Sequence, residues 1–391
     1  MEPGPVDFAH PAVRAALQRD LLAWFDASAR DLAWRRRRSL YGTWISEMML
    51  QQTTVATVVP YWERFLARFP DVAALAAAPE DDVLAHWSGL GYYRRARHLH
   101  AAARQVVDTL GGRLPEDVEG WRRLPGIGPY AAGAIASLGL GLPEPAVDAN
   151  VRRVLARWLG TAVTGGDAPA AEVARLARAL VPADRPGAWN EALMELGALV
   201  CPARQPLCAS CPVAPHCRTG KTGAVAMASS PAPGRAAVPV AVLLAVIRSG
   251  SRVWLEVPGQ RLLPCRVPAE VAREELSGLH QGLLTLPTTA WYLRPAKGTL
   301  DLLGALEEAW VDAWADGSSM AATLPPKPLG RFRHAITRYR LDVTVAVLDA
   351  GPGLVAPPGR DGRWVDLDDA SAGNISQLAR KALRLIAHGQ G

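Results

Sequence analysis

Four cysteines, Cys201, Cys208, Cys211 and Cys217, fall within 17 residues in the pattern C-x6-C-x2-C-x5-C. Soft thiolates so close together can wrap one metal centre, and they select zinc or an iron–sulfur cluster. Structural zinc sites usually pair two short Cys-x2–4-Cys hooks, whereas this run has one. The wider gaps suit a [4Fe–4S] cluster, but spacing alone leaves both centres open. Upstream, Glu47 lies in Trp44-Ile45-Ser46-Glu47-Met48-Met49-Leu50-Gln51-Gln52-Thr53. A carboxyl set among Trp and Met loses hydration, and its pKa rises as a general acid requires. The plainer alternative is a solvated stripe, because Glu47, Gln51 and Thr54 follow i, i+4, i+7 spacing on a helix. A second carboxyl, Asp148, stands just ahead of an amphipathic segment, where the commonest reason for Asp is a helix N-cap. Eighteen residues before it, Tyr130 ends the string Leu124-Pro125-Gly126-Ile127-Gly128-Pro129-Tyr130. Two glycines two apart allow a tight turn, and Pro129 suits a first helical turn. The amides of such a helix–hairpin–helix form an anion site that grips nucleic-acid phosphates without reading bases. An ordinary tight turn between helices is the alternative there.

Helices must position these groups. Ahead of the cysteines, apolar residues recur at helical spacing over 12–29, 43–69, 79–87, 94–110, 130–138, 150–159, 169–180 and 188–200. Gly and Pro punctuate the gaps between them. After the cysteines, residues 223–239 are rich in small residues and Pro and read as a linker. Beyond it, 240–247, 252–257 and 341–348 carry the β-branched enrichment of strands, while 271–279, 302–315 and 375–387 look helical. The expected organisation is a helical domain over 1–222, with the cysteine loop at 201–217, then a mixed α+β domain over 240–391.

The 391 residues suit two or three domains, at roughly 100–200 residues each. Hydrophobic residues at 49% and charged residues at 20% exclude a largely disordered chain. Five Cys are too few for a disulfide scaffold of this length, and no secretory segment is evident. The longest apolar run, Val238 to Ile247, is too short to span a bilayer. The composition therefore points to a soluble protein of a reducing compartment. A net charge of +6 is too mild to mark a nucleic-acid protein. Of 43 basic residues 39 are Arg, a bidentate partner for phosphates, though a GC-rich genome gives the same bias. Cys265 stands alone and reads as an ordinary packed residue.

The hairpin, the segment Val147-Asp148-Ala149-Asn150-Val151-Arg152-Arg153-Val154 and the cysteine spacing together resemble the helix–hairpin–helix, Gly/Pro, Asp superfamily of DNA glycosylases. That resemblance implies [4Fe–4S] rather than zinc. Bifunctional members carry a catalytic Lys where this chain has Tyr130, and no Lys precedes Lys221. Without the amine that a Schiff base needs, the implied enzyme releases the base and leaves the strand intact. The Glu47 segment, Gly89-Leu90-Gly91-Tyr92-Tyr93-Arg94-Arg95-Ala96-Arg97 and Asn190-Glu191-Ala192-Leu193-Met194-Glu195-Leu196-Gly197-Ala198 resemble the MutY family of adenine DNA glycosylases, over residues 20–220. By that resemblance Glu47 protonates the flipped adenine at N7, and Asp148 stabilises the oxocarbenium-like sugar. Tyr130 and Asn150 orient these groups and the water. Leu90 and Tyr92 wedge into the gap in the stack, and Gln51, Gln52, Gly126 and Gly128 contact DNA.

The family's C-terminal domain resembles the Nudix fold and recognises 8-oxoguanine opposite adenine. Residues 240–391 fit in size and class and lack the Glu box that holds Mg2+. The family's H-x-F-S-H loop appears as His334-Ala335-Ile336-Thr337-Arg338, and its GLWEFP stretch as Gly282-Leu283-Leu284-Thr285-Leu286-Pro287. Thr337 keeps a hydroxyl, Ile336 loses the ring, and Arg338 replaces a His with a permanent cation. The implied substrate is double-stranded DNA with adenine opposite 8-oxoguanine or guanine. The protein is expected to be a cytoplasmic monomer, on the nucleoid when bound to DNA. A thymine or uracil mismatch glycosylase and a non-catalytic iron–sulfur DNA-binding module are the alternatives.

Overall fold

The first helix, α1 (Pro11–Ser28), follows its cap directly: His10 accepts the Ala12 amide through Nδ1 at 3.3 Å, and Pro takes the first helical position. Its Leu17, Leu21, Leu22 and Phe25 recur at helical spacing and are buried. The computed structural model describes residues 7–160, 170–222, 237–256, 273–274, 285–288, 291–293, 301–303, 327–336, 339–350, 362–372 and 375–388. Contacts divide the chain into two units, Met1–Ala78 with Arg95–Pro233 and Pro79–Arg94 with Gly234–Gly391.

The first unit is helical. After α1 and α2 (Ala33–Arg36), Ser39 caps α3 (Leu40–Leu50) by accepting the Gly42 amide at 3.0 Å. The expected single helix over 43–69 is broken here, and α4 (Val55–Arg68) begins after four irregular residues. The buried Arg95 guanidinium explains the break. It donates to the carbonyls of Met48 (3.0 Å), Met49 (2.8 Å) and Gln51, and to Thr53 Oγ1 (3.0 Å). These acceptors include orphan carbonyls of a helix end, and a cation there also complements the helix dipole. Gln52 then turns the chain at φ 56°. Thr54 therefore sits at the N-cap of α4 and shares no stripe with Glu47, and α3 is buried continuously from Tyr41 to Met49.

Then come α5 (Val72–Ala77), α6 (Glu80–Trp87), α7 (Arg94–Leu110), α8 (Val118–Arg122), α9 (Pro129–Leu140), α10 (Ala149–Leu159), α11 (Ala170–Leu180), α12 (Pro186–Leu199) and α13 (Arg218–Thr222). One core joins Leu17 and Leu21 of α1, Val154 and Trp158 of α10, Leu176 of α11 and Leu193 and Leu196 of α12. The segment with α6 and the turn after it groups with the second unit rather than with its neighbours in sequence.

The second unit is built on a mixed sheet. β1 (Val238–Ser249) pairs parallel with β6 (Tyr339–Asp349), so Val240 faces Leu341 and Val242 faces Val343. It pairs antiparallel with β2 (Arg252–Glu256) and β4 (Trp291–Leu293). β3 (Arg273–Glu274) joins β4, β5 (Lys327–Ile336) joins β6, and β7 (Gly362–Asp366) joins β2. Val242, Leu244 and Val246 pack with Leu378, Ala382 and Ile386 of the helix Gln377–His388. Leu243, Ala245 and Ile247 pack on the opposite face with Trp254 and Leu348. A strand covered on both faces reads as a continuous apolar run, which accounts for Val238 to Ile247. Among the described residues no helix is long and apolar enough to cross a membrane.

Two further expectations are corrected. The stretch expected as a helix over 271–279 contains β3, whose register pairs Arg273 with Tyr292. The expected linker ends early, since Val238 and Pro239 already pair in the sheet. Residues 223–236, Cys265 and 282–284 lie outside the described residues.

Candidate active site

Glu47 hangs from the middle of α3 and is 4% exposed. Its Oε2 accepts a hydrogen bond from the Tyr130 hydroxyl at 2.9 Å. Burial pushes the Glu47 pKa up to about 7; the Tyr130 hydrogen bond opposes this, and the nearby charges of Glu191 and Asp148 reinforce it. Tyr130 is raised well above its ordinary value, first by burial and then by the same two carboxylates at 47 and 148. Its hydroxyl also lies 3.3 Å from Met194 Sδ, a much weaker acceptor than a carboxylate. The solvated-stripe alternative for Glu47 is thus excluded.

Asp148 caps α10, and its Oδ1 accepts the Val151 amide at 2.7 Å. The other oxygen, Oδ2, accepts from Asn150 Nδ2 at 3.0 Å. The N-cap and the candidate catalytic carboxylate are therefore one residue, and its capping bond aims the side chain. Asn150 is oriented from behind. Its Oδ1 accepts from Arg153 Nη2 at 2.9 Å, which turns its amide nitrogen toward Asp148. Arg153 also donates to the carbonyls of Gly197 (2.7 Å) and Cys201 (3.0 Å). A Cβ on Gly197 would stand 2.7 Å from Asn150 Cβ, so only glycine lets α12 approach α10 this closely.

Sequence reasoning missed the shell around this centre. Glu191 and Glu195, one turn apart on the buried face of α12, bind arginines from the α1–α3 region. Arg35 Nε meets Glu191 at 2.8 Å, and Arg38 pairs with its other oxygen. Arg30 holds Glu195 through Nε (2.8 Å), Nη2 (2.9 Å) and its own amide (3.0 Å). Burial alone would push Glu195 up, yet the bonds from Arg30 and Arg35 hold it at about 2. Asn190 pins the loop leading to Asp148, accepting from the Ala146 amide (3.1 Å) and donating to the Glu144 carbonyl (2.8 Å). The available signal was a pair of acidic residues at i, i+4 in an otherwise apolar helix.

The hairpin forms as expected but uses its glycines differently. Gly126 has φ 79°, and a Cβ there would stand 2.7 Å from His98 Cβ. Gly128 is extended at φ −89°, caps α9, and would carry a Cβ into open space. Gly128 is exposed, and neither its backbone conformation nor its surroundings require glycine. Gln51 is half-buried with its amide 3.5 Å from Met48 Sδ, while Gln52 is exposed. Tyr92 is 52% exposed at φ 48°, but Leu90 is 6% exposed and does not project from the turn.

The four cysteines are free thiols around a small cavity of about 30 Å³, shared with Arg157, Trp158 and Leu196. Arg157 Nη1 donates to Cys201 Sγ at 3.0 Å and the Gly220 amide to Cys217 Sγ at 3.4 Å. Burial pushes Cys211 up to about 11 and raises Cys217, and the neighbouring cysteines add to both. Among the described residues no three His, Cys, Asp or Glu side chains close on a single ion position. In the second unit His334 sits half-buried on β5, its pKa lowered by burial and then by Lys381. Ile336 ends that strand, and Thr337 and Arg338 lie outside the described residues.

Residues 45–183 match the family described as HhH-GPD superfamily base excision DNA repair protein. An adenine DNA glycosylase of Mus musculus is 34% identical, over 98% of this chain and 80% of its own length. That of Homo sapiens is 33% identical, over 97% and 75%. Among solved structures, a thermostable thymine-DNA glycosylase superposes with a TM-score of 0.51 at 27% identity, covering 55% of this chain and all of its own.

Proposed function

The chain belongs to the adenine DNA glycosylases of the HhH-GPD superfamily, which act in base excision repair, and from that premise we propose a mechanism and a substrate. The enzyme is monofunctional and removes adenine opposite 8-oxoguanine or guanine. The observation that carries the mechanism is the buried Glu47, raised to about 7, in electrostatic range of Asp148. Adenine leaves slowly as an anion. Glu47 donates its proton to the flipped base at N7, the C1′–N9 bond breaks, and its electron pair stays with the neutral base. The sugar is left oxocarbenium-like, and Asp148 supplies the opposing charge. Water then adds to C1′ and passes its proton to the Glu47 carboxylate, which restores the acid. Tyr130 orients Glu47, and Asn150, held by Arg153, orients Asp148. With Tyr130 where an amine would have to stand, the backbone is left uncut.

Cys201, Cys208, Cys211 and Cys217 would hold a [4Fe–4S] cluster. The four thiols line one cavity, and N–H donors are aimed at two of the sulfurs, as suits the sulfurs of a multi-iron centre. When bound, that cluster supplies a four-thiolate crosslink for the 201–217 loop, whose Cys201 carbonyl receives Arg153.

In the second unit, β5 carries His334 and Ile336, which together with Thr337 and Arg338 we assign to the opposite base. Its sheet and covering helix suit a Nudix-like lesion-recognition domain. The match to an adenine glycosylase across 98% of this chain and 80% of its own length favours adenine over thymine or uracil. The deciding assay uses duplexes pairing A, T or U with G or 8-oxoguanine. Adenine should be lost preferentially opposite 8-oxoguanine, with strand cleavage only after alkali. Nicking without alkali contradicts the monofunctional mechanism, and excision of T or U contradicts the substrate. In the same assay Asp148→Asn should abolish excision while duplex binding survives.

A further inference from the structure

The helix Gln377–His388 buries Leu378, Ala379, Ala382, Leu383 and Ile386 against the sheet. Two consecutive cations leave that packed face. Lys381 Nζ donates to the Arg333 carbonyl at 3.5 Å and lies 5.8 Å from the Phe332 ring, both on β5. Arg380 Nη2 donates to Ser88 Oγ at 3.1 Å. Ser88 ends α6, its amide bonded to the Ala85 carbonyl, and opens the turn that presents Tyr92.

The turn is tightly braced. Gly89 (φ 109°), Gly91 (φ 72°) and Tyr92 (φ 48°) all adopt positive φ. The Trp87 indole donates to the Gly91 carbonyl at 3.2 Å, the Leu90 amide to the Trp87 carbonyl at 3.1 Å, and the Gly89 amide to the Tyr93 hydroxyl at 3.4 Å. A turn so constrained internally moves as one piece, so a bond at its first residue sets where its exposed ring points. Residues 79–94 belong to the same unit as the sheet, so this bond ties parts of one body.

We propose that the C-terminal helix is a strut between the two DNA-reading elements of this unit, and that Arg380 is a positioning residue holding the Tyr92 turn in register with β5. The inference rests on the assignment of Tyr92 to the gap in the DNA stack and of the β5 end to the opposite base. Through the strut, the identity of the opposite base bears on where the wedge enters.

The 391-residue chain without DNA gives the first test, by hydrogen exchange of amides 89–93. Arg380→Ala and Ser88→Ala should each speed exchange there by at least about threefold, with β1 and β6 unchanged. The double variant should be no worse than either single, because both remove one bond. Arg380→Lys should recover part of the protection. If Arg380→Ala also loosens β1 and β6, Ser88→Ala alone decides. The second test places 2-aminopurine as the target base opposite 8-oxoguanine or G. Both variants should shrink the difference in unstacking fluorescence between the two duplexes, leaving duplex affinity within about threefold. Unchanged exchange at 89–93 in Ser88→Ala, or effects that multiply in the double variant, overturns the strut. Altered exchange with no opposite-base preference in the wild type upholds the strut and overturns the lesion-reading assignment instead.

Discussion

At the residue scale, Glu47 carries the most specific consequences. With its pKa at about 7, the proton-donating form is lost as the pH rises through neutrality. Single-turnover excision should therefore fall roughly tenfold per pH unit on the alkaline side. Tyr130 donates to Glu47 and so favours its ionised form. Tyr130→Phe should move the alkaline limb to higher pH, whatever it does to the maximal rate. A limb that stays in place would show that the hydrogen bond does not tune the acid. The same shift has a cost in stability. A group with a raised folded pKa contributes fully below its unfolded value, near 4.5, and that contribution is lost as pH rises through 7. Ionised Glu47 thus costs about 3 kcal/mol at pH 8. Glu47→Gln should melt above the wild type at pH 8, with the gap closing toward pH 5; an equal or lower melting temperature at pH 8 counts against a raised Glu47. The burial of Glu47 was legible from its Trp and Met neighbours. The pairing of Glu191 with Arg35 and Arg38 was not, because the partners come from the opposite end of the helical unit.

At the scale of elements, the break between α3 and α4 shows where periodicity fails. Gln51, Gln52, Thr53 and Thr54 include no Gly or Pro, and the apolar spacing runs on through them. What ends the helix is Arg95, 44 residues beyond Gln51, whose side chain takes carbonyls that another turn would have used. Arg95→Met should leave those acceptors buried and unpaired and cost about 2–4 kcal/mol. Thermal denaturation measures that loss, and Arg95→Lys should restore only part of it, since one ammonium cannot span four acceptors. A melting temperature within a degree of wild type would mean that the loop ends α3 unaided. By contrast, the α9 and α10 starts were legible, because Pro129 and Asp148 are local signals for the first turn of a helix.

At the scale of the whole molecule, the cysteine loop and the composition change near residue 223 were enough to divide the chain into a helical part and a mixed part. The assignment of 79–94 to the second unit was not legible, since nothing in a helix of that length records which core it joins. β5 escaped notice for a related reason: its Arg331 and Arg333 alternate with partly buried residues too weakly to show a period. The metal prediction belongs at this scale. Purified protein should be brown and contain about four iron atoms and acid-labile sulfide per chain. A colourless preparation loaded with zinc would remove the cluster. Among the described residues only Gln52, Tyr92 and Gln205 adopt positive φ without being glycine. A left-handed backbone costs a residue with a Cβ roughly 1–2 kcal/mol. Two of these three positions are proposed to meet DNA, so the unbound fold is held away from its own optimum where it must grip its substrate. Selection for heat resistance alone would drift toward glycine at 52 and 92, relieving the backbone at the expense of the side chains proposed to meet DNA.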